Sequence, residues 1–463
     1  MFIALRLQLG CRQLMCAVLA NAITAVIAVG PAVVISPPAR AEPSDLTVRT
    51  AKDIGPFRGK AYREVEAQMQ GNAPGGAYAV PVTLTFPKQL SDHNGFAIVD
   101  IVNTVTIGKE QFVLGGQPLP LARVHMGDAF LFGWGNVYVG VIWDKTAVEA
   151  LGKGTIATAV DGYTILRDAA TVARNPSKYL SAEAGTAPAS DNIIAYGYSQ
   201  TANLLRGWYF DHLNRETGTP AFDGGLVAGA NGRCHDLHDL TFKTCAGALA
   251  DGGKVIDLSP ETDVEWGGDA ERGVNPDYRV IEIAGVSHIP PLWADFRSHG
   301  MPEQNPVGFE PVLRAALVNL QEWLKGRDPP PSVAIDLSDA PPRNLECCGP
   351  VREAARDAEG NAKGGVRLPH MTSMLPDGRK AGAPLGQYTG FAFDYVKSNF
   401  FFTLSGTFRP FSPEKIRELY PTHAAYVDAV TTSTEDLVTK RYILPEAAEA
   451  YIEAAKRSDI GRP

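Results

Sequence analysis

The sequence predicts an α/β protein in which helices flank a mainly parallel sheet. Apolar segments of strand length alternate with segments of helical periodicity, and this alternation is typical of βαβ units. Two of the apolar segments, residues 96–102 and 137–142, are nearly continuous in apolar side chains, as expected for strands covered on both faces. We count about eight strands, of which the first two form an antiparallel hairpin.

The predicted elements follow a segment at 42–59 that reads as a polar linker. Alternating or continuous apolar runs predict strands, at residues 62–68, 78–86, 96–102, 137–142, 193–196, 226–228, 254–258 and 278–284. Helical spacing predicts helices, at residues 163–174, 200–212 and 311–325. Beyond residue 335 the βαβ rhythm stops, and loops precede two or three helices. We therefore expect a core at 42–335 and an extension at 336–463 that packs on the core.

Composition narrows the class of protein. The 463 residues are 45% hydrophobic and 20% charged, which is ordinary for a globular protein. The net charge of −8 disfavours nucleic acid or an anionic membrane as the main partner. The sequence shows no Walker A loop, and Gly133-Trp134-Gly135 lacks the third glycine of a dinucleotide fingerprint. We therefore expect no cofactor and a small molecule as the substrate.

The first 41 residues have the pattern of a secretory signal peptide. Arg6 and Arg12 precede an apolar run at 14–34, and the segment ends in Ala39-Arg40-Ala41. The run is also long enough to span a bilayer, so a retained anchor is the alternative. The small residues at the end favour cleavage after Ala41, which predicts a periplasmic or secreted protein without a membrane anchor.

Export makes disulfides possible. Cys234 and Cys245 lie close in sequence and can pair in an oxidising compartment, whereas the adjacent Cys347 and Cys348 cannot be assigned partners. The alternative for the first pair is a metal site with the two histidines of segment 234–239. Metal sites usually draw ligands from more than one such cluster, so the disulfide is favoured.

Ser199 is the candidate nucleophile. The strand at 193–196 runs through Gly197 and Tyr198 into Ser199, and helix formers follow, which places the serine on a tight strand-to-helix turn. Thr201 stands where a second glycine is more usual, so the match to G-x-S-x-G is partial. The alternative for Ser199 is a helix N-cap, because serine is favoured at that position.

A nucleophilic serine needs a base and an acid that orients the base. Glu261 and Asp263 follow one predicted strand, with Glu265 as a weaker third candidate, and His288 follows the last strand. All four residues lie past the carboxyl ends of parallel strands, where open α/β sheets form their sites. The chain order of serine, acid and histidine is that of α/β hydrolases.

The remaining candidates surround the nucleophile. Backbone N–H groups stabilise the oxyanion of acyl transfer. We expect one from Gln200, directly after the serine, and a second from Asn103 or Thr104, in the loop after the third strand. Tyr198 and Trp143 are candidates for the pocket wall, although Trp143 fits the core equally well.

Three motifs resemble a largely uncharacterised bacterial family of secreted α/β-hydrolase domains. They are G-x-S-Q-[ST] at 197–201, [ST]-E-T-D-V at 260–264 and A-G-[TS]-x-H at 284–288, with departures at Pro260 and Val286. The similarity continues into the tail, and this implies that the extension belongs to the hydrolase unit. The resemblance implies an α/β-hydrolase fold.

The resemblance also implies roles for the site residues. Ser199 would be the nucleophile, His288 the base and Glu261 the acid, with Asp263 as the alternative acid. These roles predict an exported serine hydrolase of carboxylic esters. An amidase or peptidase would use the same groups, and an inactive binding protein on this fold is a further alternative. The sequence does not specify the acyl group, the leaving group or the oligomeric state.

Overall fold

The structure is a computed structural model that describes most of the chain. The described residues are 42–462 except 105, 108–109, 112–117, 231, 236–240, 246, 248–249, 268–274, 293–294, 346–348 and 397–399. The predicted signal peptide and the Cys347-Cys348 pair lie outside them. The described residues form one compact unit.

Nine strands of the described chain form one sheet. They are β1 (Thr47–Phe57), β2 (Lys60–Ala73), β3 (Gly76–Pro87), β4 (Phe96–Ile101), β5 (Val137–Val141), β6 (Asn192–Tyr198), β7 (Gly224–Ala228), β8 (Lys254–Pro260) and β9 (Tyr278–Ile283). Their spatial order is β1-β2-β3-β5-β4-β6-β7-β8-β9. Strands β1, β2, β3 and β5 pair antiparallel, and strands β4 to β9 are all parallel to one another. The predicted mainly parallel sheet is therefore confirmed.

The prediction of eight strands is one too few, because β1 occupies the segment that reads as a polar linker. Most side chains of β1 are exposed, so the strand lacks the apolar alternation that marks a buried face. Its backbone pairs with β2 from Thr47, opposite Gln68, to Phe57, opposite Lys60. Pairing with a neighbour, rather than burial, makes this segment a strand.

Helices cover both faces of the sheet. The α-helices are α1 (Leu121–Met126), α2 (Asp128–Leu131), α3 (Lys145–Leu151), α4 (Asp161–Arg174), α5 (Gln200–Phe210), α6 (Glu261–Gly267), α7 (Glu310–Leu324), α8 (Phe400–Thr403), α9 (Pro413–Leu419), α10 (His423–Thr439) and α11 (Pro445–Arg457). Helices α4 and α5 pack on one face, and α1 and α7 pack on the other. Every residue of β4 is buried as a result. Among the described helices, none combines the length and the apolar character that a membrane crossing requires.

The extension continues the hydrogen bonding of the sheet edge. Val366 N–H donates to Glu282 O at 2.6 Å, and Ala284 N–H donates to Val366 O at 3.0 Å. The extension thus lies directly against the strand that leads to His288.

The remaining described strands form two-stranded pairs. They are Thr106–Ile107 with Glu110–Gln111, Arg233–His235 with Phe242–Thr244, Arg343–Leu345 with Gly349–Val351, Ser373–Met374 with Lys380–Ala381, and Gly386–Thr389 with Thr407–Pro410.

Candidate active site

Ser199 lies on a strained turn between β6 and α5. Its backbone has φ 58° and ψ −118°, a conformation that residues other than glycine rarely adopt and that is often found at functional sites. The turn is tight, since a Cβ on Gly197 would lie 2.4 Å from Thr201 O. The Ser199 side chain makes no capping hydrogen bond to α5, which disfavours the N-cap alternative.

Thr201 closes the turn in place of the more usual glycine. Its hydroxyl accepts a hydrogen bond from Tyr198 N–H at 3.0 Å and donates to Tyr198 O at 3.1 Å. The side chain is buried. The partial motif match therefore has a physical reason: a hydroxyl at this position ties the first turn of α5 back to the end of β6.

His288 connects the serine to a carboxylate. Its Nε2 lies 2.9 Å from Ser199 Oγ, and its Nδ1 lies 2.9 Å from each carboxylate oxygen of Asp263. His288 and Asp263 are both buried. A neutral imidazole with its proton on Nδ1 donates to Asp263 and accepts the Ser199 proton at Nε2. This arrangement can remove a proton from the hydroxyl and stabilise the imidazolium that forms.

The structure brings Asp263 to His288, whereas the family resemblance favoured Glu261. Glu261 begins α6 and points away from the imidazole, because residues two apart lie on different faces of a helix. Its Oε2 accepts from Gly285 N–H at 2.6 Å, and its Oε1 accepts from Gly390 N–H at 3.0 Å. Glu261 also forms an ion pair with Arg356, so its carboxylate joins α6 to neighbouring segments and does not contact the imidazole.

The structure makes one of the predicted oxyanion donors unsuitable and leaves two as predictions. Gln200 begins α5 directly after Ser199, as expected for the first donor. Asn103 N–H donates to Leu119 O at 3.0 Å, and its side-chain amide donates to Tyr198 O at 2.9 Å. Asn103 therefore supports the turn and cannot offer its N–H to an oxyanion. Thr104, which is buried, stays a prediction for the second donor.

The two pocket candidates are both core residues. Tyr198 is fully buried, donates its hydroxyl to His288 O, and has its ring centroid 5.2 Å from the His288 ring. Trp143 is also buried, and its indole N–H donates to Val102 O at 3.2 Å. A Cβ on Gly162 of α4 would lie 2.9 Å from the Trp143 ring. Tyr198 thus supports His288 through its hydroxyl and its ring, and Trp143 fills the space between the sheet and α4.

Two supporting groups were not predicted individually. Thr262 accepts a hydrogen bond from His288 N–H at 3.0 Å, and its position inside the E-T-D-V motif was a usable signal. His125 packs edge-on against Tyr198, with ring centroids 4.5 Å apart. Burial, and then the neighbouring His288, lower the pKa of His125 to about 3, so this histidine stays neutral near neutral pH.

The loop with the paired cysteines lies against α5. Cys234 and Cys245 form a disulfide with their Cα atoms 5.8 Å apart, and a Cβ on Gly207 of α5 would lie 2.7 Å from His235 O. In the part of the chain that the structure describes, no group of three or more His, Cys, Asp or Glu side chains is arranged to hold a metal ion. The other histidine of this loop is among residues 236–240, outside the described part.

Comparison with known proteins identifies a family. The family described as "Alpha/beta hydrolase domain" matches residues 122–453. No curated protein matches. Among solved structures, the rice cell wall degrading esterase LipA from Xanthomonas oryzae is 15% identical over 40% of this chain and 50% of its own, with a TM-score of 0.27. The bacterial brefeldin A esterase is 13% identical over 36% of this chain and 42% of its own, with a TM-score of 0.23. The chain thus spans about half the length of these two solved structures or less. The family assignment rests on the sequence match.

Proposed function

The chain belongs to the α/β hydrolase domain family, and from this premise we propose that it is an exported serine hydrolase that cleaves carboxylic esters. The observation that carries the proposal is the hydrogen-bonded chain from Ser199 through His288 to Asp263 on a strained strand-to-helix turn. Ser199 Oγ would attack the acyl carbon while His288 takes its proton and Asp263 stabilises the imidazolium. His288 would then protonate the leaving group, and water would release the acyl group by the same steps.

The oxyanion would be held by backbone N–H groups at the start of α5. Gln200 N–H lies at the helix N-terminus, where the helix dipole also favours negative charge. Thr104 is the candidate for the second donor. An amidase or peptidase would use the same groups and would differ in the protonation of the leaving nitrogen.

The test of this proposal is turnover of p-nitrophenyl esters from acetate to longer acyl chains. We expect the wild-type protein to hydrolyse them and to be inactivated by one equivalent of a fluorophosphonate. Peptide mass spectrometry should place the label on Ser199. Anilide analogues of the same acyl chains separate the ester reaction from the amide reaction. Absence of both turnover and labelling would favour a binding protein on this fold.

Export is proposed from the first 41 residues and is consistent with the Cys234–Cys245 disulfide. We expect the exported protein to begin at Glu42, as measured by intact-mass spectrometry of the periplasmic or secreted fraction. A leucine at the cleavage site, Ala41→Leu, is expected to block processing because signal peptidases require small residues there. An unprocessed chain in the membrane fraction of cells expressing the wild type would contradict the proposal and support an anchor.

A further inference from the structure

Helix α6 carries three carboxylates within five positions, Glu261, Asp263 and Glu265, and all three are fully buried. Side chains four residues apart share a helix face, so Glu261 and Glu265 are neighbours on the side away from Asp263. Two buried carboxylates side by side are costly unless a cation and hydrogen-bond donors compensate them. Their partners therefore indicate what holds this helix in place.

The cation comes from the C-terminal extension. Arg356 Nη1 lies 2.8 Å from Glu261 Oε1, and Arg356 Nη2 lies 2.9 Å from Glu265 Oε1. Ala354 N–H donates to Glu265 Oε1 at 2.8 Å. Burial, and then the neighbouring Glu261 charge, raise the pKa of Glu265 to about 8 despite the arginine. We refer to the contacts of Arg356 with these two carboxyl groups as the Arg356 clamp.

The clamp is connected to the loop that carries His288. Glu261 accepts a hydrogen bond from Gly285 N–H, at the start of that loop, and another from Gly390 N–H in the extension. The next residue, Thr262, accepts from His288 N–H and donates its hydroxyl to Gly390 O. One turn of α6 thus fixes the base, the acid and the extension together.

We propose that Arg356 is a positioning residue for the reaction, through which the C-terminal extension holds the helix of Asp263 and the loop of His288 in their catalytic geometry. The inference rests on the proposed function, because it assigns Arg356 a part in the same reaction. Arg356 acts through Glu261 and Glu265. A small misplacement of catalytic groups costs rate rather than ground-state binding, so the effect should appear in kcat.

The test is Arg356→Lys, which keeps the charge but loses the planar fork that spans two carboxylates. We expect kcat for ester hydrolysis to fall about ten- to hundredfold, with KM changing less than about threefold. The low-field proton resonance of His288 Nδ1–H, which is hydrogen-bonded to Asp263, should shift or broaden. Arg379→Lys is the matched control, because Arg379 pairs with Asp377 at 2.8 Å on the surface of the same extension.

A purely structural role would lower the thermal unfolding temperature and leave kcat per folded molecule and the proton resonance unchanged. The triple variant Arg356→Met/Glu261→Gln/Glu265→Gln removes the clamp without leaving a buried unpaired charge, and it is the second measurement if the lysine variant does not fold. We expect the same loss of kcat. Wild-type kcat and an unchanged resonance in either folded variant would overturn the proposal. If the wild type cleaves no ester, the resonance still tests the clamp, so the two failures are distinguishable.

Discussion

Replacing Ser199 with alanine is expected to lower kcat for ester hydrolysis by roughly 10³- to 10⁶-fold. The Ser199 Oγ is the atom that His288 Nε2 contacts at 2.9 Å, and alanine removes it without adding bulk. The half-buried position and the tight turn are otherwise unchanged, so the urea unfolding midpoint should stay close to that of the wild type. Rate and unfolding are measured on the same preparations.

Ser181→Ala is the matched control, because Ser181 is exposed in a loop and makes no capping hydrogen bond. It should keep wild-type activity and fluorophosphonate labelling. Ser199→Ala should lose labelling altogether. If Ser199→Ala retained most of the rate, Ser199 would be no more than the start of α5, and the hydrolysis would have to come from other groups.

Replacing Asp263 with asparagine is expected to lower kcat by about 10⁴-fold. Asp263 places both carboxylate oxygens 2.9 Å from His288 Nδ1. An amide cannot stabilise the imidazolium by charge, and its N–H₂ group can donate to Nδ1 and hold the imidazole in the wrong tautomer. The variant is nearly isosteric, so KM should change little.

Glu261→Gln is the comparison for Asp263→Asn, since it makes the same chemical change two residues earlier. Glu261 bonds to Gly285, Gly390 and Arg356 rather than to His288. We expect the glutamine variant to lose kcat by at most about a hundredfold, through misplacement alone. A loss of about 10⁴-fold in Glu261→Gln, with Asp263→Asn remaining active, would instead make Glu261 the catalytic acid.

Local pattern in the sequence was enough for the fold class and for the chain order of the candidate serine, acid and histidine. Buried parallel strands have continuous apolar runs, which is why β4 and β5 could be predicted within a residue or so of their ends. The serine turn has its own local signature, because Gly197 and the helix formers after Ser199 satisfy steric needs of the turn itself. Strand β1 was not predicted, because its side chains are mostly exposed and only its pairing with β2 makes it a strand.

Only the tertiary structure decided which carboxylate contacts the His288 imidazole. Glu261 and Asp263 are both close to a strand end in sequence, and the choice depends on which face of α6 meets the imidazole. That face is fixed by contacts distant in the chain: His288 is 25 residues from Asp263, and Gly390 is 129 residues from Glu261. Asn103 and Trp143 likewise have partners that packing alone supplies. Sequence pattern reports the local burial and backbone conformation of a residue. Hydrogen-bond partners far apart in the chain are determined only when the helices and the extension pack on the sheet.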